Sequence, residues 1–182
     1  MSRSNIVVFC FILSLAYFGA YWALDGAMIQ VPLPVLLALA GLLIWISVED
    51  VASLSFPITS VLLLGGVCTA IALWLGVPLW LHCAAAAGYF ALFATVDRVL
   101  RPSSDTPALG LGDSLLIACG ALLLGPIEPI QVILLASVAG LFWVVAARLV
   151  LNRPWRAPLP FGLFLSLGIW ITFLEPGLIG HL

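Results

Sequence analysis

Two aspartates stand out in a chain where only 8% of the 182 residues are charged. Asp50 lies at the end of a long apolar run, and Asp113 closes the tetrapeptide Gly-Leu-Gly-Asp. Two carboxylates held close together resist being charged at the same time, so one can take a proton from water while the other donates one to a carbonyl. The pair therefore indicates an aspartic protease, provided that the fold brings the two side chains together.

The glycines of the tetrapeptide fit this chemistry. Gly110 and Gly112 let the backbone turn and approach a substrate strand closely, because neither residue has a Cβ. A helix that starts beside Asp113 would also stabilise its ionised form. The alternative is that Asp113 only caps a helix and that Asp50 is an ordinary residue at the membrane interface. Spacing alone does not separate these two interpretations.

The rest of the chain indicates that both aspartates belong to a membrane protein. Hydrophobic residues make up 64% of the sequence, and its mean hydropathy is +1.28. A water-soluble domain of this size cannot hide so much apolar surface, because much of a small domain stays exposed. We therefore predict an all-α fold, a polytopic bundle of about seven segments surrounded by the lipid bilayer. The net charge of −2 gives no indication of a nucleic-acid partner.

The lengths of the apolar runs predict where the bundle crosses the membrane. A crossing helix needs about 20 apolar residues to span roughly 30 Å. Six runs have this length, near 5–24, 31–48, 57–76, 78–96, 129–149 and 160–175. A seventh segment, 114–125, would reach only about 18 Å as a helix. We expect it to be tilted, shielded by its neighbours, or placed where the membrane is thinner.

The arginines predict the orientation of the bundle. If the N-terminus is cytoplasmic and seven segments alternate, all six basic residues fall on the cytoplasmic side: Arg3, Arg98, Arg101, Arg148, Arg153 and Arg156. Basic residues are retained on that side of membranes, so the distribution supports this topology. Two crossings separate Asp50 from Asp113, and an even number of crossings puts both at the cytoplasmic face.

The first apolar segment is longer than the apolar part of a cleavable signal peptide. We expect residues 1–30 to hold a retained signal-anchor helix and residues 31–182 to form the catalytic membrane domain. The four cysteines lie singly in apolar stretches, with no Cys-x-x-Cys pair. This spacing predicts neither a metal site nor a redox pair, and we expect no cofactor.

Three separated stretches resemble the bacterial type IV prepilin peptidase family, the membrane aspartyl proteases with a Gly-x-Gly-Asp motif. Residues 50–57 are similar to the family's aspartate at a helix end with a proline seven residues later. Residues 110–120 resemble the motif and the small-residue helix that follows it. Residues 158–165 are similar to the Pro-Phe-Gly-x-Phe-Leu segment where the family's last helix begins.

The resemblance implies a multi-pass protein of the bacterial inner membrane, with its active site facing the cytoplasm. It would remove the leader of prepilins or pseudopilins, the subunits of type IV pili and type II secretion. Asp50 and Asp113 would activate water, and Gly110 and Gly112 would support the backbone of the motif. Three further residues would border a substrate groove: Pro57, Phe161 and Gly162. The large cytoplasmic loop of the long family members is absent, so the chain is similar to the short, peptidase-only type.

Two departures from the family pattern keep other hypotheses open. Leu115 stands where family members often have a lysine, and Glu49 stands where they usually have an apolar residue. A non-catalytic membrane protein that assists the assembly of pilus subunits on the same scaffold fits these departures. A small transporter is less favoured, because both aspartates lie at one face and not near the bilayer midplane. The sequence leaves open the oligomeric state and which aspartate carries the proton.

Overall fold

A computed structural model describes residues 3–23, 31–100, 110–151 and 159–175 of the chain. Within these ranges the protein is helical, without strands. The seven helices are α1 Arg3–Ala23, α2 Leu33–Ser53, α3 Ile58–Trp74, α4 Leu79–Leu100, α5 Leu111–Leu124, α6 Pro129–Leu151 and α7 Phe161–Leu174. The predicted all-α bundle of about seven segments is confirmed.

The apolar surface of the described helices, and the length of three of them, agree with a membrane bundle. Among the described residues, α2, α4 and α6 are long and apolar enough to cross a membrane by themselves, while the apolar parts of the other four are shorter. Large apolar side chains face outward, as at Phe142, which is 71% exposed, and Leu149, which is 76% exposed. Such a surface is unfavourable in water and suits contact with lipid.

Proline and glycine set the ends of several helices. Pro57 precedes the first residue of α3, and Pro32 precedes α2. Since proline fixes its own φ and has no backbone N–H, it fits the start of a helix better than its interior. Gly76 and Gly125 follow α3 and α5 with φ values of 67° and 102°, which glycine adopts without steric cost.

The short helix α5 lies inside the bundle. Its 14 residues span about 21 Å, and it packs against α3, α4, α6 and α7. Of the three explanations for a short segment, shielding by neighbouring helices is the one that the structure supports. The helix begins at Leu111, three residues before the predicted 114–125 segment.

Helix α7 is the other central element. Eleven of its 14 residues are buried, as expected for a helix that is apolar on all sides. It packs against α2, α5 and α6 and also contacts α1. The Trp170 indole N–H donates to the Tyr17 carbonyl at 2.9 Å, which joins α7 to α1. Helices α5 and α7 thus form the centre on which the outer helices pack.

Candidate active site

Asp50 lies in the last turn of α2 and reaches across to the start of α7. Its side chain is only 5% exposed. Its Oδ2 accepts the backbone N–H of Leu163 at 3.1 Å, and the Gly162 amide also interacts with the carboxylate. The first N–H groups of a helix have no partner within that helix, and the residue before α7, Pro160, gives no side-chain cap. Asp50 therefore caps α7 from another helix.

Asp113 lies in the first turn of α5, partly buried. Its Oδ2 accepts the backbone N–H of Gly110 at 3.3 Å. The carboxylate thus closes the start of its own helix, which is the capping role that the sequence left open. Capping does not exclude chemistry, since a carboxylate oxygen has lone pairs for more than one donor.

The structure brings the two aspartates together at one end of the bundle. Asp113 interacts electrostatically with Asp50, although α3 and α4 separate them along the chain. Each carboxylate lies at a helix N-terminus, Asp50 at that of α7 and Asp113 at that of α5. Both helix ends stabilise negative charge there, while repulsion between the two carboxylates opposes charging both. This arrangement suits a pair that holds one proton between them.

Phe56 is the third component of the site. A Cβ built at Gly112 would lie 2.7 Å from Phe56 Cζ, and one built at Gly162 would lie 2.9 Å from Phe56 Cε1. Real Cβ atoms do not approach other atoms so closely, so the ring depends on both glycines. From the sequence, Gly112 was assigned to the motif and Gly162 to the groove, whereas Phe56 was assigned no role. A single sequence does not reveal such a contact, because the three residues lie in three separate segments.

The connection between α2 and α3 turns Phe56 back toward Asp50. Leu54 has φ 54° and ψ 29°, a left-handed conformation, and its N–H donates to the Asp50 carbonyl at 2.8 Å. This conformation costs roughly 1–2 kcal/mol for a residue with a Cβ. Strain of this kind is found preferentially at functional sites. Here it reverses the chain directly after the aspartate.

The residues predicted to border a groove have different surroundings. Gly162 is buried, and a Cβ built on it would lie 3.0 Å from Asp50 Oδ2. Phe161, the first residue of α7, is partly buried, whereas Pro57 is exposed beside Phe56. Gly162 thus lies directly against Asp50, whereas Phe161 and Pro57 are the sequence neighbours of Gly162 and Phe56.

His82 lies away from the aspartates, at the other end of α5. Its Nδ1 is 2.9 Å from the Leu122 carbonyl. In the part of the chain that the structure describes, no cluster of three or more His, Cys, Asp or Glu side chains could hold a metal ion.

Comparison with protein-family models, curated proteins and solved structures finds no match to this chain. The class that the fold defines is a helical membrane bundle, and the resemblance to prepilin peptidases rests on the residues quoted above.

Proposed function

We propose that the protein is a membrane aspartic endopeptidase that cleaves the leader of prepilins or pseudopilins with Asp50 and Asp113. The observation that supports this best is the convergence of the two carboxylates at the N-termini of α5 and α7. Few carboxylates occur in so apolar a chain. Two neighbouring carboxylates that are shielded from water in a membrane protein therefore mark a candidate functional site.

The proposed reaction is a hydrolysis with one water molecule. The ionised carboxylate takes a proton from water as the water oxygen attacks the scissile carbonyl carbon. The protonated carboxyl donates its proton to the carbonyl oxygen, which gives a neutral tetrahedral intermediate. The protonated carboxyl then gives its proton to the nitrogen as the C–N bond breaks, and the ionised carboxylate takes the proton of one hydroxyl of the intermediate. The new carboxyl group stays on the leader. After release of both products the pair again holds one proton.

The substrate class follows from the resemblance and from the position of the site. A prepilin carries an apolar helix next to its leader, so the bilayer would hold the scissile bond near the membrane surface. The aspartates lie at helix ends, the depth at which such a junction would be presented. Binding two reactants to the same surface also makes their encounter far more frequent. With the orientation that the arginines predict, this surface is the cytoplasmic one.

One observation favours the non-catalytic alternative, an assembly partner for pilus subunits. Both carboxylates already accept backbone hydrogen bonds at helix starts, and this structural role alone would explain why they are there. The alternative predicts that the protein binds a prepilin and leaves its leader in place.

Purified protein in lipid vesicles can be mixed with a synthetic prepilin segment that contains the leader and the apolar helix. We expect two products whose masses sum to that of the substrate plus one water, with the cut immediately before the apolar helix. Vesicles without the protein are the control. A substrate that is bound by the vesicles but remains intact would contradict the proposed function and favour the assembly partner.

A further inference from the structure

Phe56 is the one residue of its connection that turns into the protein. All other residues from 52 to 59 are exposed, whereas Phe56 is partly buried and packs against the core. Phe56 therefore contacts the interior of the bundle, which its exposed neighbours do not.

The ring of Phe56 separates the two helix starts that hold the aspartates. One ring atom, Cε1, lies 2.9 Å from the Cβ position built at Gly162 and 3.4 Å from the one built at Gly112. Gly112 directly precedes Asp113, and the Gly162 position lies 3.0 Å from Asp50 Oδ2. Because the ring touches both helix starts, a smaller side chain at position 56 would remove the contact between them.

We propose that Phe56 is a positioning residue that sets the separation of the Asp50 and Asp113 carboxylates by filling the gap between Gly112 and Gly162. The ring acts through the two glycines and takes no part in bond making. A kinetic test of this role rests on the proposed function, whereas a test of the packing around Phe56 does not. Since a misplacement of about 1 Å can reduce a rate about 100-fold, the spacing of the pair should control turnover more than substrate binding.

The kinetic test compares wild type with Phe56→Leu and Phe56→Ala on the prepilin segment. We expect kcat to fall about 10-fold for Leu and about 100-fold for Ala, with KM within about twofold of wild type. Phe142→Ala makes the same change at an outward-facing ring and should leave both constants unchanged. A higher KM at unchanged kcat would show that the ring binds substrate, and unchanged constants would show that it does nothing; either result overturns the proposal.

The packing test uses the unfolding temperature in detergent and requires no proteolysis. Gly112→Ala would place a methyl group 2.7 Å from Phe56 Cζ, so Phe56→Leu should restore much of the stability that this variant loses. Gly162→Ala would also meet Asp50 Oδ2 at 3.0 Å, so Phe56→Leu should rescue it much less. Equal rescue of the two variants, or rescue of neither, would overturn the proposal. If wild type leaves prepilins intact, the proposed function fails, and this comparison still decides whether Phe56 fills the gap between Gly112 and Gly162.

Discussion

At the scale of single residues, the two carboxylates proposed for acid–base chemistry are also helix caps. Asp50 caps α7 and Asp113 caps α5, so each carboxylate is fixed by the helix whose N-terminus stabilises its charge. The residue types and the tetrapeptide were enough to select both aspartates from the sequence. The partner of Asp50 was not predictable, because Leu163 lies on a helix far along the chain and contributes only its backbone N–H.

The left-handed backbone conformation of Leu54 can be tested by substitution with glycine. This conformation is strained for leucine and unstrained for glycine, so Leu54→Gly should raise the free energy of unfolding by about 0.5–1 kcal/mol. Leu75 is a matched control, since it also follows a helix, is similarly exposed and has φ −75°. Leu75→Gly should lower the free energy of unfolding by about 0.5–1 kcal/mol. Denaturant unfolding in detergent measures both, and a loss of stability in both variants would contradict the assigned strain.

At the scale of helices, α5 is the element whose position decides where Asp113 lies. The apolar run predicted that this segment exists but not its first turn, because Leu111 and Gly112 precede a charged residue in the sequence. Its start is capped by the hydrogen bond from the Gly110 N–H to Asp113. Its end depends on a contact that no periodicity predicts, namely the one with His82 on α4.

His82 compensates for a proline at the end of α5. The Leu122 carbonyl would normally accept the N–H four residues later, but that residue is Pro126, which has none. The His82 ring N–H at Nδ1 donates to this carbonyl instead. The contact fixes the end of α5 that is distant from the aspartates.

Removal of this donor should destabilise the protein. His82→Ala leaves the Leu122 carbonyl without its partner, so we expect the free energy of unfolding to fall by about 1–3 kcal/mol. Cys83→Ala changes the next, exposed residue of the same helix and should have little effect. Thermal unfolding in detergent compares the two variants. Equal stability of the two would show that the His82 contact contributes nothing to holding α5.

At the scale of the whole molecule, hydropathy predicted the number and order of the helices because lipid exposure requires long apolar runs. Hydropathy did not predict how the helices pack. Nearly every helix is apolar on all sides, so the sequence did not show that α5 and α7 are central. The described tryptophans near the ends of α1, α3 and α4, namely Trp22, Trp74 and Trp80, are exposed. Their position at the ends opposite the aspartates agrees with an aromatic belt at that surface.

The predicted orientation can be measured with single cysteines. In a variant without the four native cysteines, Ser55→Cys reports the aspartate end, and Ile127→Cys reports the exposed turn at the opposite end. We expect a membrane-impermeant maleimide to label Ile127→Cys on spheroplasts and Ser55→Cys only on inverted vesicles, because the distribution of the arginines predicts a cytoplasmic aspartate end. The reverse pattern would place the aspartates outside the cell.

Whether Asp50 and Asp113 form one hydrolytic pair can be read from the N-terminal mass of a prepilin that is co-expressed with each variant. We expect trimming by wild type and by Gly41→Ala, a change on α2 that meets no neighbouring atom. We expect an intact leader with Asp50→Asn and with Asp113→Asn, each inserted in the membrane in normal amounts. Trimming at the wild-type rate by either asparagine variant would contradict the paired mechanism.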